Sequence, residues 1–238
     1  MHHHGFYASD SIMSPVHHGG NWAALQAWIQ QHSHIRAIIC DVYGTLLHVT
    51  PGPENAEFIW SELWTKLIPE HAVVSLAELQ EKLRAAVARQ HAASTVAFPE
   101  VDWVALFAEF VPRIPSRMAR HHARLLRRCE LKPGAAQFMR EIQLPMGICS
   151  NAQAYTLMEF RLALRQENLR IARFDPALCF WSFHHGTAKP NPEIFHRMKQ
   201  HSKLAPHQLL IVGDRMDNDI QPAREAGWNT WHLLPEPG

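Results

Sequence analysis

A chain of 238 residues, 47% hydrophobic and 19% charged, has the composition of an ordinary water-soluble globular protein, and its length allows one large domain or a core with a smaller companion. A formal net charge of +1 excludes the broad basic field by which proteins hold nucleic acid or an anionic membrane. No apolar run reaches the roughly 20 residues that span a bilayer, and the start lacks the basic, apolar and small-residue order of a signal peptide.

Residues 1–20 are polar, His-rich and broken by Gly and Pro, so a poorly ordered N-terminus is expected, and the run His2 to His4 carries no fold signal. Asn21 to Gln31 reads as an amphipathic helix with Asn21 as its cap and Trp22, Leu25 and Trp28 on one stripe. Five short apolar runs follow: Ile35 to Cys40, Met146 to Cys149, Ala177 to Trp181, Gln208 to Val212 and Trp228 to Leu233. None alternates strictly, as expected of strands buried on both faces. Helical stretches at Tyr155 to Gln166, Pro192 to Lys203 and Ile220 to Ala226 separate the later runs. Strand and helix in alternation predict a parallel, doubly wound sheet.

Between about Val49 and Glu130 the pattern predicts helices only: Glu54 to Leu67, Ser75 to Gln90 (opened by Ser75 and Glu78 at capping-box spacing), Val101 to Val111 and Ser116 to Cys129. The expected organisation is an α/β core over 21–48 and 131–238, Rossmann-like in its parallel sheet, with an inserted α-helical cap domain over 49–130. Ligands of open α/β sheets bind beyond the carboxyl ends of the strands, so an insertion leaving there sits over the site.

Four polar signals fall at predicted strand ends: Asp41-Val-Tyr-Gly-Thr45, Ser150-Asn151, Lys189-Pro190 and Gly213-Asp214 with Asn218 and Asp219. A carboxylate can attack phosphorus or carbon and form a covalent intermediate. Gly44 permits a tight turn beside it, Thr45 and Ser150 offer hydroxyl donors, and Lys189 neutralises charge. Asp41 and Asp214 supply the two carboxylates that Mg2+ needs beside a phosphate. Singly, each has a plainer reading as a turn, a helix cap or a solvated surface residue; their shared placement at one sheet edge is what points to a site. Tyr155, Arg120 and His184-His185 are weaker candidates. Adjacent histidines point in different directions and make poor chelates, and Cys40, Cys129, Cys149 and Cys179 form no C-x-x-C pair, so they read as free thiols in a reducing, cytoplasmic setting.

This ordered set resembles the haloacid dehalogenase-like (HAD) hydrolase superfamily, helical-cap (C1) type, over about Ile35 to Leu233. The resemblance implies a Rossmann-like core with a helical cap and a small-molecule substrate. It implies Asp41 as nucleophile and metal ligand, and Asp214 and the Tyr43 carbonyl as further ligands of Mg2+. It also implies Ser150 and Lys189 on the transferred group, Asp219 and Asn218 around the metal's water shell, and Asn151 as a secondary polar contact to the substrate. Tyr43 stands where the superfamily's phosphatases usually have a second Asp acting as acid and base; Asp-Val-Tyr-Gly-Thr looks like the 2-haloacid dehalogenases, which need no metal, whereas Asp214 and Asp219 look like the phosphatases. The expected activity is Mg-dependent phosphoryl transfer through an aspartyl-phosphate; the alternatives are a 2-haloacid dehalogenase and a weakly active or non-catalytic phospholigand-binding member. Pro99-Glu-Val-Asp102 and Ser150-Asn-Ala-Gln153 are also similar to segments of other superfamily members.

Overall fold

The computed structural model describes residues 17–234. The elements in chain order are β1 (His17–Gly20), α1 (Trp22–Gln30), β2 (Ala37–Cys40), β3 (Leu47–Pro51), α2 (Ala56–Leu67), α3 (Leu76–Ala93), α4 (Trp103–Phe110), α5 (Pro115–Leu126) and β4 (Arg127–Leu131). They continue with α6 (Ala135–Glu141), β5 (Met146–Ser150), α7 (Ala154–Gln166), β6 (Phe174–Trp181), α8 (Ser182–His185), α9 (Pro192–Ser202), β7 (Leu209–Gly213), α10 (Gln221–Glu225) and β8 (Asn229–Leu233). All five predicted strands form, as β2, β5, β6, β7 and β8, and each lies in one parallel sheet of order β1-β8-β7-β2-β5-β6. Every residue of β2, β5 and β7 is buried, which is why those runs do not alternate.

The chain runs outward from β2 to β5 and β6 on one side, then crosses to β7 and β8 on the other. Register fixes the consequence: Cys40 lies opposite both Val212 and Ile148, so the carboxyl ends of β7, β2 and β5 reach one edge together at the point where strand order reverses.

Three strands are absent from the sequence reading. His17–Gly20, expected to belong to a disordered start, form β1: its backbone pairs with the β8 edge, and His18 packs between Trp28 and Trp231 at centroid distances of 5.3 and 6.1 Å. Residues 1–16 lie outside the described residues. β3 and β4, expected as loop and helix end, pair antiparallel from Leu47↔Leu131 to Pro51↔Arg127. The ribbon satisfies the main chain where it leaves and re-enters the sheet, with alternate residues exposed.

Between them, α2 to α5 pack around an apolar cluster of their own, with Trp60, Trp64, Leu79, Leu83, Leu106 and Phe107 at its centre. The helices start where their caps dictate: Ser75 accepts from the Glu78 N–H, and Asp102 from those of Val104 and Ala105. No helix among the described residues is long and apolar enough to cross a membrane.

Candidate active site at the carboxyl edge of the sheet

Asp41 follows β2, Ser150 ends β5 and Asp214 follows β7, so three neighbouring strands each deliver one polar residue. Lys189 comes from the loop between α8 and α9, beyond β6. Its ammonium, with a side chain 3% exposed, donates to Asp41 Oδ1 at 2.7 Å, to the Cys149 carbonyl at 2.7 Å and to Asp219 Oδ1. Burial lowers this lysine's pKa; the carboxylates of Asp41 and Asp219 overcome that and hold it above the usual lysine range. Asp41 responds oppositely. Burial pushes its carboxyl up to about 6, against the pull of Lys189 and with a further push from Asp219.

Carboxylate oxygens of Asp41, Asp214 and Asp219 all lie within 4.8 Å of one another. Thr45 donates to Asp214 Oδ1 at 3.1 Å. Gly44, at φ 81°, lies so close to Asp214 that a Cβ there would run into its carboxylate, so the turn needs glycine for its backbone and for its missing side chain. With all three carboxylates ionised and one buried ammonium among them, the cluster carries a formal charge of −3 + 1 = −2. Hard, converging oxygen donors with an unmet charge of that size are the donor set of Mg2+ and not of a soft metal, so the residues present fit the ion. Ser150, fully buried, has a hydroxyl oxygen with no partner. An orphaned buried hydroxyl at this edge is free to bond an oxyanion.

The other candidates differ in how they are held. Asn151 has both amide atoms engaged with the Lys189 main chain, accepting from its N–H at 2.7 Å and donating to its carbonyl at 3.0 Å, so it holds the lysine's loop. Asn218 is half-buried in a π-helical turn, Met216–Ile220, whose Asp219 accepts from the Arg215 N–H. Arg120 is exposed on α5, His185 stacks on Phe180, and His184 packs tilted against Phe183. The Tyr43 hydroxyl is bonded to Glu159, lies 2.9 Å from Thr156 Oγ1 and accepts from Arg127 at 2.8 Å. Burial holds this phenol far above its usual range; Arg127 opposes the shift and Glu159 adds to it.

Arg127, Glu159 and Thr156 carry no signal in the sequence that marks them as part of a site, and Gln153 stands out only as the end of a segment. Arg127 opens a strand that reads as a helix end, and its guanidinium sits 4.5 Å from the centre of the Tyr43 ring and 5.6 Å from that of Tyr155. The Gln153 amide donates at 2.7 Å to both Glu100 Oε1 and the Val101 carbonyl, joining the Pro-Glu-Val-Asp and Ser-Asn-Ala-Gln segments.

The parallel sheet thus carries a carboxylate cluster at its switch point, with an inserted helical unit beside it. A family model described as haloacid dehalogenase-like hydrolase matches residues 35–227, and the chain belongs to that family. A glyceraldehyde 3-phosphate phosphatase of Methanopyrus kandleri is 42% identical over 45 residues, and haloacid dehalogenase-like hydrolase domain-containing protein 3 of Xenopus laevis is 39% identical over 51. Those alignments span 19% and 21% of this chain and of the respective relatives. Among solved structures, a 2-haloacid dehalogenase from Pseudomonas syringae superposes with a TM-score of 0.60 at 16% identity, over 82% of this chain and 85% of the other. A Bacteroides thetaiotaomicron HAD family enzyme, in complex with magnesium and inorganic phosphate, gives 0.52 at 14% identity over 86% and 96%. These likenesses establish a shared fold.

Proposed function

We propose that this protein is a Mg2+-dependent phosphohydrolase of small phosphorylated molecules, with Asp41 as covalent nucleophile and the helical insertion as a cap over the site. The observation that carries the reading is the charge of the cluster: three carboxylates around one ammonium leave a deficit of positive charge that a divalent cation would fill. Asp41, Asp214 and the Tyr43 carbonyl would hold the ion, Asp219 and Asn218 would meet its water shell, and the bound ion would offset charge on the phosphoryl oxygens. Asp41 Oδ1 is fixed by Lys189, which leaves Oδ2 to attack phosphorus. The Asp41 O–P bond forms as the bond from phosphorus to the leaving oxygen breaks, and that oxygen takes the electron pair; water then cleaves the acyl phosphate and restores the carboxylate. Ser150 Oγ donates to a phosphoryl oxygen, Thr45 spends its hydroxyl proton on holding Asp214 in place, and the Lys189 ammonium balances charge on Asp41 and the group in transit. The phosphatase name of one relative and the phosphate bound by one structural neighbour agree with this reading.

A second reading, halide displacement from a 2-haloacid, is favoured by Tyr43: a phenol whose proton is held by Glu159 serves poorly as the acid a phosphatase uses. One screen separates the two. Phosphate esters and haloacids are offered with Mg2+ and with chelator; phosphate release that stops with chelator supports the proposal, and metal-independent halide release overturns it. In the first case Asp41→Asn abolishes turnover, and Mg2+ raises the Tm of wild type but not of Asp214→Ala.

The engaged phenol also constrains the substrate. A positioned acid is worth about 100- to 10,000-fold, so without one the site favours leaving groups that need no proton, acyl and aryl phosphates above alkyl phosphates. Rates across aryl phosphates should fall steeply as the leaving-group pKa rises; a flat series means that another residue supplies the acid.

A further inference from the structure

The insertion touches the core at two separate places, and both lines of hydrogen bonds end on one atom. The first place is the segment between α3 and α4. The Ala188 N–H donates to the Phe98 carbonyl at 2.8 Å and the Glu100 N–H to the Gly186 carbonyl at 3.1 Å, so the segment lies along the loop that carries Lys189. On its other side Glu100, Val101 and Trp103 take up the whole Gln153 amide. The Gln153 N–H donates to Thr156 Oγ1 at 3.0 Å, and Thr156 Oγ1 lies 2.9 Å from the Tyr43 hydroxyl. The second place is Arg127, where β4 leaves the insertion; it donates to the same hydroxyl and to Glu159.

A phenol has one proton and two lone pairs. Here the hydroxyl meets Glu159, Thr156 Oγ1 and the donating Arg127 at once, as many partners as it has hydrogen-bonding sites. It lies two residues beyond Asp41, on the turn whose Gly44 abuts Asp214. We propose that Tyr43 is a positioning residue: its hydroxyl couples docking of the helical insertion at both places to the alignment of the Asp41 loop. This rests on the reading of Asp41 as nucleophile. When the insertion lifts, Arg127 leaves the phenol and the line through Gln153 is cut, and the Asp41 turn loses its lateral support. When it docks, the turn is fixed only if both tethers are made. The position thus holds a mechanical link instead of an acid, and turnover depends on the cap being seated.

Amide hydrogen exchange tests the coupling without reference to any substrate. Tyr43→Phe keeps the ring beneath Arg127 and removes only the hydroxyl. It is expected to speed exchange of the amides at 98–103 by roughly tenfold, the effect of a network coupling of ordinary size. Thr156→Val, which leaves Tyr43 intact, should do the same. Combining Tyr43→Phe with Gln153→Ala should cost no more than the worse single change, because both cut one line. Protection at 98–103 unchanged in Tyr43→Phe, or strictly additive effects in the double variant, overturns the proposal. Activity gives the second arm: with the best phosphate ester from the screen, Tyr43→Phe should lower kcat by roughly tenfold and leave KM within about twofold, the pattern of lost alignment. Wild-type kcat in that variant also overturns it. Failure of the nucleophile reading has a different signature, turnover retained by Asp41→Asn.

Discussion

Two ionic clusters lie near Asp41, and they are built differently. Around Lys189, one ammonium with a 3% exposed side chain meets two carboxylates, and every partner belongs to the sheet and its loops. Around Tyr43, the Arg127 side chain is 29% exposed and the single carboxylate, Glu159, is 8% exposed; the arginine belongs to the ribbon at the base of the insertion and the carboxylate to α7. The first cluster is closed within one rigid unit and carries excess negative charge, which suits chemistry. The second spans two units and is partly wet, which suits a joint that must make and break.

The contrast can be broken at its strongest point by Lys189→Met. Removing one partner of a buried pair leaves the others uncompensated, at a cost of about 3–5 kcal/mol. Urea unfolding in chelator should register that loss, and turnover should vanish; a loss under 1 kcal/mol means that Asp41 and Asp219 are not held as ions.

Acid should separate the sheet from the insertion by sign. His122 is buried among Trp60, Trp103 and Phe107, and burial, helped by Arg127, lowers its pKa from 6.5 to about 4. The unfolded chain therefore binds the proton first, so stability present above pH 6.5 is lost as pH falls towards 4, to an extent of about 3 kcal/mol. Asp41, raised to about 6, acts the other way and gains stability as pH falls through that value. His122→Phe should remove the insertion's share and flatten or reverse the slope between pH 7 and 4; an unaltered slope would mean that His122 is not the group responsible.

The smallest expected effect is that of Glu159→Gln, which keeps the shape and removes the charge opposite Arg127. Hydrogen bonds to charged groups in partly buried sites support a loss of roughly 1–2 kcal/mol. The melting temperature should fall by a few degrees, well short of the Lys189→Met effect; a fall as large as that one would place the two clusters on an equal footing.

What could be read in the sequence follows from which interactions are local. Asp41, Ser150 and Asp214 were legible because each sits directly after an apolar run, and a parallel sheet brings such positions to one edge. Lys189 was placed by its motif, yet its bond to the Cys149 carbonyl was not, since nothing near it in the chain indicates that partner. β4 was hidden because Arg127-Arg-Cys-Glu-Leu131 continues an amphipathic helical stretch without a break, and β1 because His17-His-Gly-Gly20 has no strand propensity and is held by β8. The Tyr43 network was invisible for a simpler reason: Arg127, Thr156 and Glu159 are 84, 113 and 116 residues away.

The apolar cluster of the insertion shares no residue with those of the sheet, and the main chain passes between the two only through the β3 and β4 ribbon. Cooperativity of unfolding is therefore not imposed by a common interior. The insertion can melt as a unit of lower free energy while the strands still hold Asp41 and Lys189. A protease at low concentration should then cut first near the exposed Phe58, Val73 and Val96, and leave a fragment pair whose sheet still gives a native-like tryptophan signal from Trp228 and Trp231.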